Sequence, residues 1–170
     1  MKTVAVVAML VSPAAALAAY VALGSFEETV DVDGVAVVHV SNESGAVEII
    51  GGDVDQVTIR ATIRIDKKLS NSNPMRAEQI ISGVKRSPPV SIEGGRIEIS
   101  KIKRGTYQRH ASISYEIVVP HDTEVNVQSV SGNVKVSGVT GSVSATSETG
   151  KVTLAESSPP KKVELNTPAA

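Results

Sequence analysis

The chain has 170 residues, enough for one domain with its own core, and a net charge of −1 that attracts no polyanion globally. Apolar residues make up 41% but aromatic residues only 2% (Tyr20, Phe26, Tyr107 and Tyr115), which argues against a pocket lined with aromatic rings. Cysteine is absent, which excludes disulfides, thiolate metal sites, a thiol nucleophile and a lipid-modified cysteine.

The first 24 residues read as a separate object. Lys2 precedes an apolar run from Val4 to Leu23, interrupted only by Ser12, Pro13 and Tyr20. At about 20 residues it is long enough to cross a bilayer as a helix. Glu27, Glu28, Asp31 and Asp33 follow it, so the charge balance favours a cytoplasmic N-terminus and an exported remainder. Ala16-Leu17-Ala18 has the small residues that suit signal peptidase. Continuation of the run to Leu23 instead favours an uncut membrane anchor through residues 4–23.

From residue 30 the β-branched types dominate, and they favour strands. Val35–Val40 and Val47–Ile49 read as strands around the turn Ser41-Asn42-Glu43-Ser44-Gly45. Gly51-Gly52-Asp53 is a second turn. Val57–Ile65 alternates over nine residues, its odd positions facing a core. Residues 66–89, with Asn71, Asn73, Pro74, Gly83, Pro88 and Pro89, read as a loop or insertion, in which Met75–Ile81 has the makings of one or two helical turns. Strands resume at Val90–Ile92, Arg96–Ile102 and Ala111–Val119, the last closed by Pro120. Residues 156–170 read as a disordered tail, with a short strand at Val163 and Leu165 as the alternative.

Between residues 125 and 154 a unit recurs every nine residues. Gly132, Gly141 and Gly150 share the interval with Val125, Val134, Val143 and Val152, and with Val127, Val136, Ala145 and Leu154. Each unit reads Gly-x-Val-x-Val and then a polar turn. Such a unit cannot bury its apolar face alone, so the units must stack. The expected fold is all-β, a short right-handed β-solenoid with one rung per unit over residues 30–155. An antiparallel β-sandwich of short hairpins is the alternative.

Three stretches resemble the putative adhesin family, a β-strand repeat domain of unknown function in bacteria and archaea. They are Val38–Ile59, the strand Tyr115–Pro120 leading to Thr123-Glu124-Val125, and Ser131-Gly132-Asn133-Val134 through Gly150-Lys151-Val152. The resemblance implies a β-solenoid or closely related all-β fold behind a signal or membrane helix. It supplies no catalytic residues.

Few residues recommend themselves for chemistry. His39, His110 and His121 are dispersed, while zinc needs three or four ligands, so they read as surface or strand-face histidines. Asp53 and Asp55 follow Gly51-Gly52, but no aspartate recurs at the repeat interval as a calcium-binding array would demand. No Gly-x-Ser-x-Gly elbow or phosphate loop is present. Asn42-Glu43-Ser44 is a formal glycosylation sequon. The basic stretch Lys101, Lys103, Arg104 and Arg109, with Lys85 and Arg86 upstream, reads as a solvated edge and not as a nucleic-acid site.

These features point to a non-enzymatic, extracytoplasmic module, either membrane-anchored or secreted, without cofactor or metal. Its expected partners are a protein or cell-surface component, and a second copy of the chain through the Val152 end. An accessory or sensor subunit of an envelope-stress or transport system is the alternative.

Overall fold

The structure, a computed structural model, describes residues 20–102, 109–155 and 163–166, with residues 20–23 and 163–166 by backbone course alone. Two six-stranded sheets form a sandwich-like arrangement. Sheet A has the order β1-β4-β7-β3-β9-β11. Its strands are β1 (Tyr20–Asp31), β3 (Val47–Gly52), β4 (Gln56–Asp66), β7 (Ala111–Pro120), β9 (Val134–Ser137) and β11 (Val152–Ala155). Sheet B has the order β12-β10-β8-β2-β6-β5. Its strands are β2 (Val37–Ser44), β5 (Val90–Glu93), β6 (Arg96–Ile99), β8 (Glu124–Ser131), β10 (Val143–Ser147) and β12 (Val163–Asn166).

The expected all-β class is as found, but the nine-residue unit is not the stacking interval. Successive units lie in opposite sheets: β8 and β10 in sheet B, β9 and β11 in sheet A. Hydrogen-bonded neighbours therefore stand two units apart, with Val125 opposite Val143 and Val134 opposite Val152. The physical reason is that short strands ending in tight turns send the chain across to the other sheet, so each sheet receives every second unit. The earlier stretch Gly45-Ala46-Val47-Glu48-Ile49, which has a similar Gly-x-Val-x-Ile pattern, joins the same lattice. Val38 pairs with Val125 in sheet B, and Val47 pairs with Val134 in sheet A. All these pairs are parallel. The antiparallel pairing expected of a hairpin sandwich is confined to β1–β4–β7 and β5–β6.

Inward residues alternate as the strand period requires. Val38, Val40, Ile49, Ile59, Ile63, Ile65, Ile97, Ile99, Ile117 and Val127 are all fully buried. Removing each such side chain from water is worth about 1.5–3 kcal/mol. Of the repeat positions, Val125, Val127, Val134, Val136, Val143 and Ala145 are buried, while Val152 and Leu154 in the last unit are half-buried.

Residues 66–89, expected as a loop or insertion, hold two helices, α1 (Lys67–Ser72) and α2 (Pro74–Arg86). Asp66 caps α1, its carboxylate accepting from the Leu69 N–H at 2.7 Å. Asn73 caps α2, its amide oxygen accepting from the Arg76 N–H at 3.0 Å, and Pro74 occupies the first turn. Ala77, Ile80, Ile81 and Val84 form one buried stripe at helical spacing. They join the same core cluster as the sheet residues. Residues 20–23, the end of the apolar run, belong to β1. Residues 1–19, including most of the expected leader or anchor, lie outside the described residues. So does the expected disordered tail, apart from β12, which forms at Val163–Asn166.

Candidate functional site

Strand pairing in register stacks outward side chains into rows, and the two sheets carry contrasting rows. Across sheet A one row reads Glu27, Arg60, Glu116, Glu48, Lys135 and Thr153. It largely neutralises itself. Arg60 Nε pairs with Glu27 at 2.9 Å, Arg60 Nη1 with Glu116 at 3.4 Å, and Lys135 Nζ with Glu48 at 2.8 Å. The hydrogen bond from Arg60 to Glu27, then the nearby Glu27 charge, raise the Arg60 pKa above its ordinary value. These pairs are exposed, so each contributes about 0–1 kcal/mol.

The corresponding row across sheet B reads Ser91, Glu98, His39, Asn126 and Ser144. Among the described residues, no ion pair or side-chain hydrogen bond engages Glu98, His39, Asn126 or Ser144. A shallow groove of about 360 Å³ runs over part of this face, lined by His39, Asn126 and Ser144 together with Val37, Arg96, Glu124 and Ser142. Its donors and acceptors are held at strand spacing, about 4.8 Å apart, on a rigid backbone. What the arrangement can do is bind a polar partner without first breaking internal pairs.

The three histidines stand in three different surroundings. His39 is on the sheet B groove. The His110 ring contacts the Asp66 carboxylate at the start of α1. His121 Nδ1 contacts the Gly138 carbonyl, and its Nε2 lies 3.4 Å from Asp53. His121 and Asp53 are thus brought together, but Asp55 forms no group with them, and among the described residues no three metal-ligating side chains converge. Lys85, Arg86, Lys101 and Arg109 are described; Lys103 and Arg104 lie outside the described residues. A second groove, of about 320 Å³, lies between the end of α2 and Pro88-Pro89-Val90. The Tyr115 side chain is buried, and burial pushes its pKa upward.

The sequon is closed in the folded chain. Asn42 is only 5% exposed, and its Nδ2 donates to the Gly45 carbonyl at 3.0 Å and the Ile113 carbonyl at 3.1 Å. Asn42 heads a buried polar column with Ser129 and Ser147, which lie in register on β8 and β10. Ser147 Oγ donates to the Gly132 carbonyl at 3.0 Å. This corner column, which holds the turns, was missed in the sequence. Its signal is a polar residue three positions before a turn glycine, at Asn42–Gly45, Ser129–Gly132 and Ser147–Gly150.

No family model matches the chain, and no curated protein matches it. Solved structures do. One, described as a putative cell adhesion protein from Clostridium sporogenes, is 14% identical, with a TM-score of 0.52 over 83% of this chain and 66% of that one. A putative adhesin from Parabacteroides distasonis is 12% identical, with a TM-score of 0.30 over 83% of this chain and 68% of that one. A putative lipid binding protein from the same organism is 11% identical, with a TM-score of 0.28 over 84% of this chain and 60% of that one. The chain therefore spans about two thirds of the length of these longer proteins. At 14% identity the likeness to the Clostridium sporogenes structure is one of fold alone.

Proposed function

We propose that this protein is an exported, non-enzymatic binding module of the putative adhesin type, and that the outer face of sheet B is its contact surface. The observation that carries the reading is the contrast between the two sheets. The central row of sheet A is engaged in its own ion pairs, whereas the His39–Asn126–Ser144 row of sheet B is polar, ordered by parallel pairing and, among the described residues, free of side-chain partners. The fold likeness to a chain described as a putative cell adhesion protein supports the adhesive role. We read the alternation of β8, β9, β10 and β11 between sheets as coils of a β-solenoid, each coil two nine-residue units long. Such a scaffold fixes the spacing of the contact face.

The test is adsorption of the labelled protein to intact cells of its source organism. Asn126→Arg with Ser144→Arg fills the sheet B groove with two long charged side chains. Thr153→Arg alters the outer face of sheet A as a control. At least tenfold weaker adsorption with the first pair, and unchanged adsorption with the second, is expected. Equal effects of both, or none, would overturn the assignment of the face.

A further inference from the structure

Charge is segregated along the strands. At the end of the domain where β1 begins, pairing brings several elements together: Tyr20 stands opposite Asp66, and Ile65 opposite Ala111. Lys67 and Lys68 follow Asp66 in α1, and Arg109 precedes β7. Lys85 and Arg86 close α2 and belong to the same end. The Ser100 N–H there donates to the Pro89 carbonyl at 2.9 Å, and Lys101 lies 3.9 Å from Glu43 near the end of β2. Lys67, Lys68, Lys85, Arg86 and Arg109 are exposed, and none forms an ion pair among the described residues. Of the carboxylates nearby, Glu43 faces Lys101 and Asp66 caps α1, while Glu148 and Lys151 share the β10–β11 turn and cancel.

The opposite end has the other sign. Asp31 ends β1 and Asp33 follows it, Asp53 and Asp55 lie between β3 and β4, Glu93 ends β5, and Asp122 follows β7. Arg96 and Glu124 flank Val37 in sheet B and cancel. The net charge is only −1, yet a domain charged in this way orients in the field of a charged surface.

We propose that the basic end is a docking surface for an anionic phospholipid bilayer. Charge complementarity supports it: each Lys or Arg near an anionic leaflet strengthens binding about fivefold, over a Debye length of about 8–10 Å. The order of the chain favours a bilayer over a soluble polyanion. The apolar run that starts at Val4 joins the domain at Tyr20, at the basic end and not at the acidic one. The groove lined by Val84, Pro88, Pro89, Val90 and Ile102 opens beside Lys101 at this end as well, and offers apolar surface next to a cation. In this orientation the acidic end points away from the lipid and the outer face of sheet B stands clear of it. The surface is therefore distinct from the contact face proposed above.

The test is flotation of the purified full chain with preformed vesicles, either phosphatidylcholine alone or phosphatidylcholine with roughly a third phosphatidylglycerol. Binding to the anionic vesicles should be at least tenfold stronger, and should be lost between about 0.05 and 0.5 M salt. Lys67→Gln with Lys68→Gln should weaken it at least tenfold, while Asp33→Asn with Asp55→Asn at the far end should leave it within about twofold. Equal binding to both vesicle types would mean that apolar insertion alone holds the protein, and would overturn the proposal. Equal and opposite effects of the two variants would assign binding to total charge, and would overturn the assignment of the end. Two further results would replace the bilayer with another partner: binding to soluble polyphosphate as tight as to the anionic vesicles, or salt-sensitive association of the protein with itself and no flotation.

Discussion

Gly132 stacks directly on Gly45 at the corner where the chain leaves sheet B for sheet A: a Cβ on Gly132 would lie 2.2 Å from the Gly45 carbonyl oxygen. Gly132 also has φ of +137°, which side chains other than hydrogen rarely adopt. Gly150 continues the column, a Cβ there falling 2.1 Å from the Gly132 carbonyl. We expect Gly132→Ala to destabilise the protein by about 2–4 kcal/mol, through steric overlap and backbone strain together. Gly52→Ala, where a Cβ meets nothing within 4 Å, should change stability by no more than about 0.5 kcal/mol. Urea unfolding midpoints of the two variants check the contrast, and equal midpoints would refute the stacked corner.

The buried polar column gives a second contrast. Asn42 donates to two carbonyls, whereas the Ser129 hydroxyl, equally buried, has no partner among the described residues. Asn42→Ala strands the Gly45 and Ile113 carbonyls and should cost about 1–3 kcal/mol. Ser129→Ala removes only an unsatisfied group and should be neutral or raise Tm. Thermal unfolding of both variants, at one pH and salt concentration, decides it.

Packing of α2 on β1 predicts a coupling. A Cβ on Gly24 would approach Ile81 Cγ2 to 2.4 Å. Gly24→Ala should therefore destabilise the wild type, and cost less once Ile81→Ala has removed that methyl group. Ile81→Ala alone should cost about 2–4 kcal/mol, since Ile81 is 3% exposed. A double-mutant cycle should show a coupling of about 0.5–3 kcal/mol. Strict additivity would mean that the helix does not sit on this strand.

Asp66 predicts an acid-sensitive contribution. Burial alone would raise its pKa, but the Leu69 N–H, the His110 ring and the Lys68 N–H outweigh burial and hold it below the ordinary carboxylate value. A folded-state pKa below the unfolded one means that the charged carboxylate stabilises the fold above the unfolded pKa, near 3.8. That stability is lost as pH falls through the folded value. Asp66→Asn should keep much of the helix cap yet lose this pH dependence. Unfolding free energies between about pH 2 and 6 should fall less steeply for the variant than for the wild type; parallel curves would refute the role.

Much of the strand content was legible because alternation and β-branching are local. Val57–Ile65 alternates in sequence and lies within β4, its odd positions buried. Helix α2 was legible in its parts, with Asn73 and Pro74 at the start and a stripe at Ala77, Ile80, Ile81 and Val84. The density of Asn, Ser and Pro around it masked the pattern. The outward polar row of sheet B was not legible. His39, Asn126 and Ser144 come from strands far apart in sequence, and only their register aligns them.

The sequence by itself determined that short Val- and Ile-rich strands alternate with glycine turns at a nine-residue interval, since those preferences act between near neighbours. Only the tertiary structure decided where each strand goes. Crossing from one sheet to the other at each turn of the repeat buries both inner faces against each other and against α2, doubling the interval between paired strands. The same long-range pairing drew Tyr20–Leu23 into a sheet with β4, although their composition alone is that of a membrane helix. Apolar side chains favour burial in either setting, and it is the partner strand that selects between them.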